Sequence, residues 1–357
     1  MKSILIHAAS LSASLVAAIP SIPSRELTTT PLPDIVYPEL PRLVIYYQTT
    51  HDSNGRPISM LPLVTELGIA LTHLIVCSIH VNHEGIIHLN DFPPHTPMFY
   101  TLWNETEVLR DAGVKIMGMV GGAARGSFAN TTLGGDDDAF EYYYGQLRDT
   151  IWQYELDGLD IDVEQPMSQD HINRLIKRLR YDFGPEFIIT LAPVASALRG
   201  SYANLSGFNY ITLERELGRE ISFYNAQFYN GFGSAHTTDD MDRFANLGWD
   251  LRKIVIGQPT TRGNAYGFVS FETLNATLVA LRDKYGPKNI GGIMGWEYFN
   301  SAPMGIEAPW RWAQIMTAIL RPKAQIKLYI TANKAEELSE AWMESARFYP
   351  AIDGVPG

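Results

Sequence analysis

An acidic, alternating segment near the middle of the chain decides the fold: Leu156-Asp157-Gly158-Leu159-Asp160-Ile161-Asp162-Val163-Glu164-Gln165-Pro166. Successive side chains of a β-strand point to opposite faces, so Asp160, Asp162 and Glu164 share one face, and the intervening isoleucine and valine share the other. We expect the apolar face to meet outer helices and the carboxyl groups to point into a barrel, with Glu164 at the carboxyl end of the strand. Asp157 has the opposite parity and is predicted to cap backbone groups where the strand begins.

Three carboxyl groups in one column cannot all ionise near neutral pH, because burial and like charges both favour the protonated form. We therefore expect at least one carboxyl with a raised pKa, which supplies a general acid at the barrel mouth. Cleavage of a glycosidic bond requires such an acid. The alternatives are an exposed acidic edge and a divalent-cation site. The sequence has no recognisable second histidine or carboxylate cluster, so we expect neither a metal nor a cofactor.

Apolar runs alternate with amphipathic runs along most of the chain. Eight short runs rich in Ile, Val, Leu or Tyr are candidate strands: Leu43–Gln48, Thr72–His80, Val114–Val120, Gly158–Glu164, Phe187–Pro193, Ile221–Tyr229, Lys253–Gln258 and Ile290–Trp296. Amphipathic spacing and capping residues predict helices at Phe99–Ala112, Asp138–Tyr154, Ser168–Phe183 and Ser270–Tyr285. Strands that alternate with helices favour an α/β fold with a parallel sheet, and eight such strands match a TIM (β/α)8 barrel. A doubly wound open sheet is the alternative.

The termini lie outside this eightfold pattern. Lys2 and the apolar stretch that follows predict a secretory signal peptide over 1–18, ahead of a Pro/Ser/Thr-rich segment over 19–41. The barrel is assigned to 42–322, and 323–357 is a C-terminal extension with a helix at Asn333–Ala346. This extension either caps the base of the barrel or is loosely attached or processed.

The composition excludes several classes of protein. A hydrophobic fraction of 46% excludes a disordered chain, and the net charge of -11 disfavours a nucleic-acid partner. After the signal segment, no stretch has the ~18 uninterrupted apolar residues of a membrane span. Cys77, the only cysteine, excludes an intrachain disulfide and is expected to be a buried structural thiol. We expect a secreted, extracellular monomer with four candidate glycosylation sequons, at Asn104, Asn130, Asn204 and Asn275.

The acidic segment matches the signature D-G-x-D-x-D-x-E, and the chain resembles glycoside hydrolase family 18 from about Leu43 to Leu320. Four further strand ends carry the resemblance: Tyr46-Tyr47-Gln48, Met119-Val120-Gly121-Gly122, Gln227-Phe228-Tyr229-Asn230 and Gly295-Trp296-Glu297. Three segments are similar more narrowly to secreted fungal endo-β-N-acetylglucosaminidases of the Endo T kind, which cut N-glycans: His88–Pro94, Glu164–Ser168 and Trp296–Asn300. Met119, where the family usually has Ser, and Asn230, where many chitinases have Asp, depart from the broad pattern.

The resemblance implies a TIM barrel that works without a metal, and substrate-assisted retaining catalysis. Glu164 would protonate the leaving oxygen, and Asp162 would orient the 2-acetamido group of the substrate. Asp160 would share a proton with Asp162, and Tyr229 would donate a hydrogen bond to the acetamido carbonyl. The substrate-binding residues implied by the resemblance are Gln227, Asn230, Trp296, Tyr46, Gln48, Gly121 and Gly122.

The sequence indicates the type of reaction more clearly than it indicates the substrate. Many processive chitinases carry an α+β insertion between the seventh and eighth strands, whereas Gln258–Ile290 has room for one loop and one helix only. The resulting open cleft favours an endo-β-N-acetylglucosaminidase that takes an N-glycan or glycoprotein as its partner. The alternatives are a short-barrel chitinase and a sugar-binding lectin that has lost catalysis. Such lectins usually lose the terminal Glu or its Asp partner, and this chain has both.

Overall fold

The computed structural model describes residues 40–82, 85–200, 203–322, 324, 326 and 329–344. The expected signal peptide and nearly all of the Pro/Ser/Thr-rich segment lie outside the described residues, as do the residues after 344. The strands are β1 Arg42–Tyr47, β2 His73–His80, β3 His88–Leu89, β4 Lys115–Gly122, β5 Gly158–Val163, β6 Ile188–Leu191, β7 Phe223–Gln227, β8 Ile254–Pro259 and β9 Gly292–Trp296.

Eight of these strands form a closed parallel barrel. Their order is β1-β2-β4-β5-β6-β7-β8-β9, and β1 pairs in parallel with both β2 and β9. This closure confirms the predicted TIM barrel and excludes the open doubly wound sheet. The additional strand β3 pairs antiparallel with β2, outside the barrel.

Helices connect the strands in the order expected of the fold. They are α1 Pro62–Thr65, α2 Tyr100–Asp111, α3 Asp137–Gln153, α4 Gln169–Phe183, α5 Tyr210–Leu217, α6 Asp239–Asn246, α7 Phe271–Tyr285, α8 Trp310–Leu320 and α9 Ala332–Glu344. The predicted N-caps Ser168 and Ser270 each accept a hydrogen bond from the backbone N–H three residues later. No helix in the described ranges is long and apolar enough to cross a membrane.

The two faces of β5 confirm the alternation predicted for it. Leu159, Ile161 and Val163 belong to the apolar layer between the barrel and its helices, whereas Asp160 and Asp162 are buried on the inner side. The barrel interior is otherwise mainly apolar, lined by Val44, Tyr46, Ile75, Cys77, Met117, Met119, Phe223, Val255 and Met294. The buried carboxyl groups are therefore exceptions that need hydrogen-bonding partners.

Asp157 caps the strand entrance as predicted. One of its carboxylate oxygens accepts the backbone N–H of Ile116 at 2.9 Å, and the other lies 3.2 Å from Nζ of Lys115. The carboxylate therefore links β5 to β4 at the base of the barrel. Cys77 is fully buried, as expected of a structural thiol.

The connection between β8 and β9 contains a loop, α7 and a short 3₁₀ turn at Pro287–Asn289. The described chain therefore lacks an α+β insertion at this point, as the length of the segment predicted. The helix of the C-terminal extension, α9, packs against α2 and also contacts α1.

Gly158 provides a test of how tightly β5 is fitted into the barrel. A Cβ atom added there would lie 2.3 Å from the carbonyl oxygen of Ile188, so the backbones of β5 and β6 would have to separate. We expect Gly158→Ala to lower the free energy of unfolding by about 1–3 kcal/mol. Gly145 in α3 is a matched control, because a Cβ there meets nothing within 4 Å.

Gly145→Ala should raise the free energy of unfolding by about 0.5–1 kcal/mol, because alanine favours a helix interior over glycine. Urea denaturation of both variants measures the two effects. Equal stability of Gly158→Ala and wild type would contradict the tight fit of β5 against β6.

Candidate active site

A cavity of about 210 Å³ opens at the carboxyl ends of the barrel strands. Ten predicted site residues line it: Tyr46, Gln48, Gly121, Gly122, Asp162, Glu164, Gln227, Tyr229, Asn230 and Trp296. Sequence reasoning did not single out the other lining residues as binding residues: Ser78, His80, Met119, Ala123, Ala124, Ala192 and Met294. The structure thus brings the candidate residues of five strand ends to one place.

Asp160 lies below this cavity and is fully buried. One carboxylate oxygen accepts a hydrogen bond from the Tyr46 hydroxyl at 2.6 Å. The other oxygen accepts bonds from the Thr190 hydroxyl at 2.5 Å and the Asn225 amide at 3.1 Å. In the described part of the chain, the carboxyl groups of Asp160 and Asp162 are not hydrogen-bonded to each other. The sequence analysis did not identify Thr190 and Asn225. The only feature that could have indicated them is that each is a polar residue at an inward-facing position of a buried strand.

Asp162 and Glu164 are joined through one amide group. Nε2 of Gln227 donates to Oδ1 of Asp162 at 3.3 Å and to Oε1 of Glu164 at 3.1 Å. The same nitrogen also lies 3.0 Å from the carbonyl oxygen of Ala192. Gln227 therefore fixes the relative position of the two carboxyl groups that face the cavity.

Burial and neighbouring charge set the protonation of this column. Burial, followed by the charges of Glu164 and Asp160, raises the pKa of Asp162 well above its ordinary value of 3.8. Burial also raises the pKa of Asp160, although its three hydrogen-bond donors act in the opposite direction. The expectation that at least one carboxyl has a raised pKa is therefore confirmed for both aspartates.

Two tyrosines keep their hydroxyl protons beside these carboxyl groups. Burial and the nearby carboxylates raise the pKa of Tyr46 and of Tyr229 well above the usual range. Each hydroxyl is therefore neutral near pH 7 and is able to donate a hydrogen bond. Tyr46 uses this proton on Asp160, whereas Tyr229 faces the cavity.

Trp296 forms an aromatic wall of the cavity. Its ring lies nearly parallel to that of Tyr229, with an interplanar angle of 14° and 6.3 Å between ring centroids. Its indole N–H donates to Oε1 of Gln48 at 3.1 Å, which fixes the orientation of the ring. An apolar face of this kind beside polar groups suits a sugar ring.

Gly121 and Gly122 leave room for the carboxyl end of β5. Both have positive φ, of 103° and 89°. A Cβ at Gly121 would lie 2.3 Å from the carbonyl oxygen of Asp162, and one at Gly122 would lie 3.9 Å from Oδ2 of Asp162. Gly121 therefore lets the backbone of β4 lie close to Asp162, whereas at Gly122 it is the positive φ that favours glycine.

Asn230 has a different place from the buried residues. It is exposed at the rim and has a positive φ of 53°. Its backbone N–H donates to the carbonyl oxygen of Tyr266 at 2.8 Å, and its Oδ1 accepts the N–H of Tyr266 at 3.1 Å. Asn230 therefore anchors the loop after β8 to the end of β7.

The four sequons differ in their accessibility. Asn130 and Asn275 are exposed, and Asn204 is half-buried with its Nδ2 donating to the Phe208 carbonyl oxygen at 2.5 Å. Asn104 is only 2% exposed, and its Nδ2 donates to the Ser339 hydroxyl of α9 at 2.6 Å. A glycan on Asn104 is therefore incompatible with α9 in this position, which corrects the expectation that this sequon is a candidate site.

The raised pKa of Asp162 predicts how its charge affects stability. A group with a raised folded-state pKa stabilises the fold below its unfolded pKa, and this contribution is lost as pH rises through the folded pKa. Asn mimics the protonated form, so Asp162→Asn should raise the free energy of unfolding near pH 8 by at least about 1 kcal/mol. The gain should shrink steadily as pH falls toward 4, because the unfolded side chain itself becomes protonated around its ordinary pKa of 3.8.

Asp160→Asn is the matched control for this experiment. Burial raises the pKa of Asp160 as well, but Asp160→Asn should bring no net gain, because the asparagine amide nitrogen cannot accept and would leave one of three donors without its acceptor. Thermal melts of both variants from about pH 4 to pH 8 measure the effect. A lower stability of Asp162→Asn than of wild type near pH 8 would refute this electrostatic account.

Two solved structures resemble this chain in both fold and sequence. A fungal endo-beta-N-acetylglucosaminidase from glycosyl hydrolase family 18 is 61% identical, with a TM-score of 0.78 over 80% of this chain and 100% of that chain. Chitinase ChiC from Aspergillus fumigatus is 46% identical, with a TM-score of 0.70 over 77% of this chain and 98% of that one.

Similarity to curated proteins is more distant. Chitinase D from Niallia circulans is 26% identical over 157 residues, which cover 39% of this chain and 29% of that protein. The chain thus matches less than a third of the length of this relative. The sequence profile described as Glycosyl hydrolases family 18 matches residues 42–265, which include the acidic column and the ends of seven barrel strands. The chain therefore belongs to glycosyl hydrolase family 18.

Proposed function

We propose that this glycosidase is an endo-β-N-acetylglucosaminidase, which hydrolyses the β-1,4 bond between the two core GlcNAc residues of N-glycans. The observation that carries the proposal is the 61% identity to a fungal endo-beta-N-acetylglucosaminidase along the whole of that chain. The cavity of about 210 Å³ suits one sugar ring, and the described connection from β8 to β9 has no inserted domain that would extend it into a long cleft.

The first chemical step uses the substrate as its own nucleophile. Glu164 donates a proton to the glycosidic oxygen, and the bond from that oxygen to the anomeric carbon breaks. The acetamido carbonyl oxygen of the same sugar bonds to the anomeric carbon, which produces an oxazolinium ion. Tyr229 is a neutral donor on the cavity wall and is suited to hold the acetamido group while Trp296 supports the ring.

Asp162 stabilises the positive charge that develops in this step. Its ionised form is unfavourable in the empty cavity because it is buried near Asp160 and Glu164. A developing cation at the acetamido nitrogen offsets this penalty, so the interaction is stronger in the transition state than with the neutral substrate. In the second step, water attacks the anomeric carbon, Glu164 takes its proton, and the oxazolinium ring opens.

A chitinase is the second candidate, and the 46% identity to Chitinase ChiC from Aspergillus fumigatus favours it. Incubation of the purified protein with a high-mannose glycoprotein and, separately, with chitin oligomers tests the two functions. Release of a glycan that ends in a single GlcNAc supports the proposal. Cleavage of chitin oligomers alone would replace it, and binding without cleavage of either substrate would indicate a lectin.

Glu164→Gln should reduce hydrolysis of the glycoprotein by at least about 100-fold, because general acid catalysis contributes this much or more. Folding and glycan binding should stay nearly intact, since the glutamine keeps the shape of the side chain. Glu272→Gln, an exposed position on α7, is the control and should retain full activity. If Glu164→Gln kept even about a tenth of the wild-type turnover, its assignment as general acid would be wrong.

Asp162→Asn should separate the two halves of the reaction. Hydrolysis should slow severely, because the acetamido group is no longer oriented and the cation is no longer stabilised. Transfer from a preformed sugar oxazoline to a GlcNAc acceptor should suffer much less, because the ring of that donor is already closed and Glu164 remains to activate the acceptor hydroxyl.

Both rates are to be measured on one folded preparation of Asp162→Asn. Equal loss of hydrolysis and oxazoline transfer in a protein whose melting temperature is not lower than that of wild type would contradict substrate assistance. That outcome would favour a direct carboxylate nucleophile instead.

A further inference from the structure

A second groove lies on the same end of the barrel as the catalytic cavity. It has a volume of about 460 Å³ and is formed by the loops after β6, β7 and β8, together with the start of α6. We call it the accessory groove and define it by Arg199, Ser234, His236, Asp240, Arg243 and Tyr266. None of these residues belongs to the catalytic constellation described above.

Tyr266 connects this groove to the cavity. Tyr266 is 82% exposed, so a ligand in the groove can reach its ring. Its backbone is nevertheless held by the two hydrogen bonds to Asn230, which itself lines the catalytic cavity. The next residue, Gly267, lies so near Tyr229 that an added Cβ would be 3.4 Å from the Tyr229 Cα. The loop that carries the exposed ring of Tyr266 is therefore hydrogen-bonded to the segment after β7 that contains Tyr229.

The groove is polar but its charges are balanced. Asp240 is buried and pairs with Arg199, and its other carboxylate oxygen accepts the backbone N–H of Ser234 at 2.9 Å. Arg243 lies 3.8 Å from the same carboxylate, and the exposed Asp239 balances the second arginine. With two cations and two anions, the groove offers no excess charge to attract a phosphate or a carboxylate ligand.

Hydrogen-bonding groups remain available for a neutral ligand. The side chain of Arg199 is 25% exposed and lines the groove. Ser234 and His236 are exposed and bonded to each other, with 2.8 Å between Oγ and Nδ1. A flat aromatic face together with donors and acceptors of balanced charge matches a pyranose ring, which has an apolar face and a rim of hydroxyl groups.

We propose that the accessory groove is a second carbohydrate subsite, in which Tyr266 stacks on a pyranose ring of the substrate outside the catalytic cavity. The proposal rests on the proposed function, because that function supplies a substrate with several sugar rings. A branched glycan reaches a side groove and the central cavity at the same time. The ring comes either from a mannose branch of the glycan or from the sugar on the leaving-group side.

The test compares Tyr266→Ala, Tyr266→Phe and wild type on a high-mannose glycopeptide. Loss of one stacking contact should raise KM about three- to tenfold with kcat little changed, and Tyr266→Phe should keep most of the affinity. Tyr181→Ala is the matched control. Tyr181 is 69% exposed near the end of α4, at the opposite end of the barrel, so its loss should leave KM unchanged.

Two further substrates identify the source of the ring. If the ring belongs to a mannose branch, a glycopeptide trimmed to one mannose should bind wild type and Tyr266→Ala equally. If it lies on the leaving-group side, Tyr266→Ala should raise KM for the trimmed glycopeptide and for the GlcNAc acceptor in oxazoline transfer. Either result supports the subsite.

The proposal is overturned if Tyr266→Ala matches wild type on the full glycopeptide and on the acceptor. It is also overturned if the variant loses equally in hydrolysis of a GlcNAc oxazoline, which has neither a mannose branch nor a leaving-group sugar, since that loss would reflect damage to the catalytic cavity. Failure of the proposed function is a separate result, seen as wild type that cleaves chitohexaose but not the glycopeptide. In that case a larger effect of Tyr266→Ala on chitohexaose than on the GlcNAc oxazoline supports the subsite, and equal effects refute it.

Discussion

The hydrogen bonds to Asp160 connect four strands of the barrel from inside. This carboxylate belongs to β5, and its donors are Tyr46 on β1, Thr190 on β6 and Asn225 on β7. A buried carboxylate requires such partners, because an unpaired charge in an apolar interior is strongly unfavourable. The same bonds fix the height and direction of β5, so the carboxyl groups above Asp160 depend on them for their position.

The parts of the fold that follow from periodicity could be predicted from the sequence. Strand alternation placed Asp160 and Asp162 inside the barrel, and the capping residues Ser168 and Ser270 located two helix starts within one residue. The strand predicted at Ile221–Tyr229 is shorter in the structure, where β7 covers Phe223–Gln227. Tyr229 therefore lies beyond the regular strand, on the loop that forms the cavity rim, where alternation no longer fixes a direction.

The remaining parts of the site depend on contacts between distant segments. Thr190 and Asn225 were missed because one polar residue in an apolar strand has no motif around it, and its partner is revealed only when the barrel closes. The buried state of Asn104 was missed for a similar reason, since it depends on the packing of α9 against α2. The accessory groove is built from three loops rich in glycine and polar residues, whose relative positions local sequence does not determine.

The amide group of Gln227 has two protons, yet three acceptors lie within 3.3 Å of its nitrogen: Asp162, Glu164 and the carbonyl of Ala192. These acceptors compete, so at any moment at least one of them has less than a full hydrogen bond. If Asp162 turns toward a ligand, the N–H group of Gln227 that it leaves can donate to Glu164 or to the carbonyl of Ala192 instead. No donor of Gln227 is then left without an acceptor. The competition therefore lowers the energy needed for the aspartate to change partners, while the strand beneath it stays fixed.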